Sequence, residues 1–575
     1  MPRPEADPNG GSRQDWLASQ QLLKRIRPVH ILWHSARMGG HLFIIDGDLT
    51  KIACDAILIP TDDGFSITPH WNPFLTKAGH WEEIENLRRN PKASWGVSTM
   101  IPLERQGKSP QIWLGRIGEA GDASDFKVFA PKVEDFVRAA LRLHKESGRK
   151  VRLYEWSRPR LALPVIGTDH GGGAEKKGDL IFGMVQKLTK LIRDPRFNAD
   201  IVLVTYGEKP YAAAQRARRM VIDDDREVAV RANWQFNNEP PLVNLVDSAQ
   251  KLAEAAIASQ LVLFLGAGVS AGAGLPDWKG LLAKIAEDVG FEPRDRLESV
   301  DPRDQATILQ RQLEMQKKSL GKAVAMQLTD THYSLGGGLL ASLPSHEAVT
   351  TNFDKLFEAA WSTAGRKAAV LPHEAARPDG RWLLKLHGCV TKPEKIILTR
   401  ADYLDMPRQH GALMGLVQGL LMMRHMMFVG YSMRDEDFHE LVYEVRHALG
   451  QQSRATPIGT VLTLETDPLT NELWTTDLQI IPMTVGEIKM APEARSRQLE
   501  IFLDLVGYLA TTSAAFFLDR TYDAVSEDEE DLRSDLSRLF WSVQDADDDS
   551  VKRKVLRFLR DELGAERKVT RKNKH

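Results

Sequence analysis

Short apolar runs alternate along this chain with longer stretches in which apolar residues recur every three or four positions. In the first half the runs are 41–45, 56–60, 161–166 and 201–206, separated by helical spacing at 133–143 and 180–192. Runs of about five apolar residues bounded by turn formers fit strands buried on both faces, and their alternation with amphipathic helices predicts an α/β layer. The rhythm returns at 261–265, 348–351, 383–386, 426–429 and 460–464. Between these, 278–289 puts Leu281, Leu282, Ile285 and Val289 on one helical face, and 437–449 does the same with Phe438, Leu441, Val445 and Leu449. The second half therefore reads as a Rossmann-like, doubly wound parallel sheet. The polar residues 1–25 read as a flexible leader and the charged stretch 216–241 as a linker. The expected layout is an α/β domain over 26–240, a nucleotide-binding domain over 243–508 and a helical, charged module over 509–575.

At 575 residues the chain exceeds what one hydrophobic core usually organises. Its net charge of −2 gives no general attraction to nucleic acid or anionic lipid, so no nucleic-acid site is expected. The acidic clusters at 527–531 and 547–549 read as solvated faces. No apolar run is long enough to span a bilayer, and the first residues lack the apolar centre of a signal peptide, so a cytoplasmic protein without membrane contact is expected. Two cysteines, Cys54 and Cys389, suit a reducing compartment. Cys389 reads as a small buried residue.

The chemistry concentrates after the run 261–265, where the chain continues Gly266-Ala267-Gly268-Val269-Ser270 and then Gly272-Ala273-Gly274-Leu275-Pro276-Asp277-Trp278. Glycines after a buried strand let the backbone turn tightly and approach a pyrophosphate, although this spacing does not open directly into a helix as the usual dinucleotide fingerprint does. Downstream come Thr350-Thr351-Asn352-Phe353-Asp354, Lys385-Leu386-His387-Gly388 and Gly430-Tyr431-Ser432-Met433-Arg434-Asp435, each following an apolar run. Together, in this order, the four segments resemble the sirtuin (SIR2) superfamily over about 243–508. The resemblance implies NAD+ as substrate. It gives the pyrophosphate to Gly266, Ala267, Gly268 and Ser270, and the nicotinamide side to Asp277. Asn352 and Asp354, with Thr351, would surround the nicotinamide ribose, His387 would be the catalytic base, and Gly430 and Ser432 would hold the adenosine half. Ser432 and Asp435 read equally as a helix N-cap and first-turn acid or as ribose contacts.

Protein-deacylating sirtuins carry a four-cysteine zinc module, which two distant cysteines cannot build. No zinc is expected, and the chain is similar to the zinc-less SIR2 domains of bacterial antiphage systems. That resemblance implies hydrolysis of NAD+ to nicotinamide and ADP-ribose or a cyclic form, cellular NAD+ depletion, a homo-oligomer, and restraint by a partner ATPase or phage-sensing protein. The alternatives are an NAD-dependent deacylase, a non-catalytic NAD or ADP-ribose sensor, and an assembly subunit. In the first domain, Asp46-Gly47-Asp48-Leu49-Thr50 and Leu163-Pro164-Val165-Ile166-Gly167-Thr168-Asp169 resemble the opening and phosphate loop of a macrodomain. Pro60-Thr61-Asp62-Asp63 replaces the macrodomain's Asn-rich element, which argues against ADP-ribose hydrolysis there. An ADP-ribose-like ligand or a scaffold role remain the two readings of this domain.

Overall fold

The computed structural model describes residues 39–566 except 106, 108, 118–125, 148–155, 169–172, 223–233, 235–240, 330–331, 363–366, 378–379, 434–435, 451–456, 466, 475, 485–490, 513, 523–526 and 545–549. The expected leader, the acidic segment 547–549 and the last residues, 567–575, lie outside the described residues. Two sheets organise what is described. The first is built from β1 (Leu42–Asp46), β2 (Ala56–Thr61), β3 (Met100–Pro102), β4 (Gln111–Arg116), β5 (Arg160–Pro164) and β6 (Asp200–Thr205), in the order β1-β6-β5-β2-β4-β3. All pairs are parallel except β3 against β4 at the edge. Helices α1 (Ala130–Glu146), α2 (Lys177–Ile192) and α3 (Glu208–Ile222) follow from it. The four strands and two helices expected here are present to within a few residues. The apolar pattern did not single out β3 and β4.

After α4 (Pro241–Ile257), the second sheet contains β7 (Leu261–Leu265), β8 (Glu347–Thr350), β9 (Ala369–Leu371), β10 (Trp382–Lys385), β11 (His425–Val429), β12 (Gly459–Thr463) and β13 (Gln479–Pro482). Their order is β13-β12-β11-β7-β8-β10-β9, and every pairing is parallel. The chain leaves β7 toward β8 on one side and returns to β11 on the other. The order therefore reverses at β7, where open α/β sheets bind ligands beyond the carboxyl ends of their strands. Helix α5 (Trp278–Asp288) packs in a separate apolar cluster with Leu309 and Phe353, helices α6 (Leu335–Ser342), α7 (Glu436–Leu449) and α8 (Pro492–Ala510) share apolar clusters with this sheet, and α9 (Glu527–Ser542) and α10 (Val551–Asp561) form the final helical module. Among the described residues no helix is long and apolar enough to cross a membrane.

The expected linker over 216–241 is only partly one. Its first residues complete α3, because Arg218 is buried and pairs with Asp504 of α8, while Arg216 pairs with Glu529. Glu529 thus uses part of the acidic cluster 527–531, read above as solvated, for a contact between helices. Trp234 is fully buried and donates its indole N–H to Asp504 at 3.0 Å. The remaining linker residues up to 240 lie outside the described ones.

One hydrophobic core runs through both sheets, joining Phe43, Ile45 and Ile57 to Leu263, Leu340, Phe502 and Val506. Helices α6 and α8 pack on each other and on β1, so elements of the second half cover one face of the first sheet. The charged residues buried with them are paired. Asp504 accepts from His41 Nε2 at 2.9 Å and from Arg218, and Arg497 makes two 2.7 Å bonds to Asp200. Arg160 donates to Glu500. Removing one partner of such a buried set leaves an uncompensated charge, so Asp504→Ala is expected to cost about 3–5 kcal/mol in chemical denaturation. Burial lowers the His41 pKa below the ordinary 6.5 despite its bond to Asp504. Above that value His41 is neutral whether the chain is folded or not. As pH falls through it the unfolded chain takes up the proton first, so stability declines until folded His41 also protonates. The denaturation midpoint should fall between pH 7 and pH 5, less steeply in His41→Gln, and equal slopes for the two proteins would refute this assignment.

Candidate active site at the carboxyl edge of the second sheet

The register of the sheet sets the site. Leu265 pairs with Thr350 and Val429, and Thr350 pairs with Lys385, so four strands end level and their following loops lie side by side. The expected strand-to-turn passage is present after β7, with one correction. A short helix, Gly268–Ala271, opens at once at Gly268, before the longer α5 begins at Trp278.

The glycines here answer first to protein, not ligand. A Cβ on Gly266 would sit 2.4 Å from the Gly430 carbonyl oxygen, and one on Gly268 would sit 2.7 Å from Gly430 Cα. Gly430 itself has a φ of +66°. The loops after β7 and β11 are pressed backbone to backbone, which only glycine allows at both points. Gly268 N–H donates to the Gly430 carbonyl at 3.0 Å, and the N–H groups of Val269 and Ser270 go to Gly266 and Ala267 carbonyls. These N–H groups already have acceptors within the protein.

Asn352, beyond β8, donates from Nδ2 to the Gly266 carbonyl at 3.0 Å and lies 3.4 Å from Ser270 Oγ. Its own N–H is held by Thr350 Oγ1 at 3.0 Å, and Thr351 N–H reaches the Leu265 carbonyl. Asp354 is buried. One carboxylate oxygen accepts from Ser270 Oγ at 2.9 Å and the other from Leu356 N–H at 2.9 Å. Ser270, Asn352 and Asp354 thus form one bonded cluster.

His387 stands beyond β10 and is buried, with Nδ1 3.4 Å from the Tyr403 hydroxyl and the two rings edge to face. Its carbonyl accepts from Ile397 N–H at 2.9 Å. The next residue turns back at φ +92°, where a Cβ on Gly388 would lie 2.5 Å from the Lys395 carbonyl.

Asp277 is exposed and caps α5, accepting from Gly280 N–H at 2.8 Å. Ser432 is exposed in the loop before α7, and Asp435 lies outside the described residues. Cys389 is buried.

Two residues beside the site gave no warning in the sequence. Tyr403 shields His387, and Lys385 ends β10 fully buried, its ammonium 2.8 Å from Glu358 and bonded to the Asp354 carbonyl. Burial alone would depress the lysine pKa. Glu358, Cys389 and Asp354 together outweigh it and hold the group above its ordinary value.

A cleft of about 2170 Å³ opens elsewhere, lined by Asp48, Thr50, Gly167 and Thr168 from the first sheet's loops and by Lys355, Glu358, Cys389 and Lys392 from the second half. None of Gly266, Ser270, Asn352 or His387 lines it. We place the candidate chemistry at the bonded cluster, because that is where the titratable and amide groups converge on the strand ends. Asp48 accepts from Thr50 N–H and Oγ1 within its own turn, and its N–H is bonded to the Tyr333 hydroxyl at 2.8 Å. Of the expected phosphate loop, residues 169–172 lie outside the described ones.

Comparison with known proteins matches residues 346–482 to the SIR2-like domain family. Defense-associated sirtuin 2 of Bacillus subtilis is 28% identical over 211 residues, 35% of this chain and 21% of that protein. NAD(+) hydrolase ThsA of Cytobacillus dafuensis is 26% identical over 199 residues, 33% of this chain and 39% of that protein. The matches therefore span less than half the length of these curated relatives. Among solved structures, the Oceanobacillus iheyensis macrodomain with ADP is 15% identical with a TM-score of 0.26, covering 32% of this chain and 94% of that one. The matched SIR2-like residues 346–482 carry β8, β10 and β11, three of the four strands whose motif-bearing loops lie level at this sheet edge.

Proposed function

We propose that the protein hydrolyses NAD+ to nicotinamide and ADP-ribose or a cyclic form, as an antiphage effector that depletes cellular NAD+. The observation that carries this reading is the bonded cluster of Ser270, Asn352 and Asp354 beside His387. Breaking the nicotinamide–ribose bond develops an oxocarbenium-like sugar, so the site must hold the ribose, place a nucleophile and accept a proton. Asn352 cannot titrate. With its Nδ2 held by Gly266, its Oδ1 is the atom for fixing a water or a ribose hydroxyl. His387 serves as the base near neutral pH. Asp354, fixed by two donors, offers its remaining lone pairs to the nicotinamide carboxamide. Gly266, Ala267, Gly268, Ser270 and Thr351 border the pyrophosphate and ribose, with Gly430 and Ser432 on the adenosine side and Asp277 at the rim.

The relatives named as NAD(+) hydrolase support this over deacylation, as does a cysteine count too small for a zinc module. A homo-oligomer or a phage-sensing partner would restrain so destructive an activity in resting cells. A second reading concerns regulation. Asp48, Gly167 and Thr168 share one cleft with Lys355 and Glu358, so an ADP-ribose-like ligand bound on the first sheet would touch the second half directly.

Purified protein incubated with NAD+ should release nicotinamide without an acetyl-lysine peptide. Dependence on the peptide would favour the deacylase, and silence in every oligomeric state would favour a sensor. His387→Ala and Asn352→Ala should each lower turnover about a hundredfold or more while NAD+ binding persists. A variant close to wild-type rate at saturating NAD+ would remove that residue from the chemistry. Gly268→Ala should separate the β7 and β11 loops and weaken NAD+ binding along with rate, and calorimetry showing unchanged affinity would count against this loop as the ligand's cradle. In the full-length protein, ADP-ribose titrated against wild type and Asp48→Ala should bind more weakly to the variant, with nicotinamide release at the other site shifting on saturation. Equal binding, or none, would leave the first sheet as scaffold.

A further inference from the structure

The Asn352-to-Glu358 segment touches two places at once. Asn352 and Asp354 bond to the glycine loop, while Lys355, Leu356 and Glu358 line the cleft. The chain after His387 behaves alike, since Cys389, Val390 and Lys392 line that same cleft. One buried ammonium links the two stretches. Lys385 Nζ donates to the Asp354 carbonyl, stands 2.8 Å from Glu358 Oε1 and lies 3.9 Å from Cys389 Sγ. Its side chain has no exposure, and that of Glu358 is 13% exposed.

We propose that Lys385 is a positioning residue for the reaction: from the cleft side it fixes the turn at Asp354, and through that turn the contacts of Ser270 and Asn352 with the ribose end of the substrate. The inference rests on the NAD+ hydrolase reading above. A lysine that only filled space at the end of β10 would need no carbonyl to point at. Here all three neighbours of the ammonium lie within two residues of Leu356 or His387, so its bonds span the two loops that carry the amide, the carboxylate and the imidazole. An ammonium can do this at low cost only if its charge is matched, and Glu358 supplies the match. Because the lysine touches the protein and not the substrate, its loss should disturb alignment more than binding, and alignment errors of an ångström are felt chiefly in the rate.

The test compares wild type, Lys385→Met and Glu358→Gln as full-length proteins. In Lys385→Met, kcat for nicotinamide release should fall at least about tenfold while KM changes less than about threefold, with Glu358→Gln intermediate. Hydrogen exchange gives a readout that needs no turnover. The Leu356 N–H bonded to Asp354 should exchange on the order of tenfold faster in Lys385→Met, with the 261–265 strand unchanged. Should Lys385→Met fail to fold, Glu358→Gln carries both measurements. A folded variant with wild-type kcat, or with KM raised as much as kcat is lowered, overturns the proposal. Wild-type protein that releases no nicotinamide overturns the hydrolase reading instead, and the exchange result then decides the positioning role by itself, unchanged protection over 352–359 refuting it.

Discussion

Four parallel strands of the second sheet end on one line, with Leu265, Thr350, Lys385 and Val429 in register, and every candidate contact in the site follows from that alignment. Parallel strands need long crossovers, so their carboxyl ends gather loops that are far apart in sequence. Once the ends are level, Asn352 can reach the Gly266 carbonyl across one strand spacing, and Ser270 can reach Asp354. The β7 and β11 loops must also meet without side chains between them. A Cβ on Gly430 would lie 2.5 Å from Val269 N, so the glycine pair is a steric requirement of the apoprotein before any ligand is considered.

The second constraint is that each sheet closes a core of its own on one face and shares a single core with the other sheet on the opposite face. Helices α6 and α8 lie between them, and the charges that accompany α8 inside, Arg497, Glu500 and Asp504, are each matched by residues of the first half. Tyr333, just ahead of α6, exchanges backbone bonds with Lys51 and Ala53, and its hydroxyl meets Asp48. The adjacent Ser334 donates to the Val269 carbonyl in the glycine loop at 2.6 Å. The turn carrying Asp48 is thus two residues of contact away from the glycine loop after β7. A chain of contacts is a route, whereas coupling also requires a ligand that binds two arrangements of that route with different affinity.

The sequence made the site legible where local spacing carries the information. Apolar runs followed by glycine, asparagine or histidine mark strand ends in an α/β protein, and the runs ending near Leu265, Thr350, Lys385 and Val429 coincide with β7, β8, β10 and β11 closely enough to place those residues. What stayed hidden depends on partners remote in the chain. His41 and Asp504 meet across 463 positions, and nothing near either residue announces the bond. Arg218 looked like part of a charged linker because its neutralising carboxylate also lies in α8. Lys385 stands in the run 383–386 with nothing beside it in sequence to mark it. Its burial becomes intelligible only when Glu358 and the Asp354 turn are folded around it.

That buried pair also bears on the electrostatics of the chemistry. A ribose that develops oxocarbenium character is disfavoured by an uncompensated cation nearby, since unit charges interact strongly where water is excluded. Lys385 avoids this in two ways. Glu358 stands 2.8 Å from the ammonium and cancels most of its field at a distance, and the N–H that reaches toward the site ends on a backbone carbonyl rather than on the Asp354 carboxylate. The Asp354 carboxylate instead accepts from Ser270 Oγ and the Leu356 N–H. A neutral residue at 385 would release the turn and leave the Glu358 carboxylate unpaired, whereas loss of Glu358 would leave the ammonium uncompensated and loosen its hold on the turn.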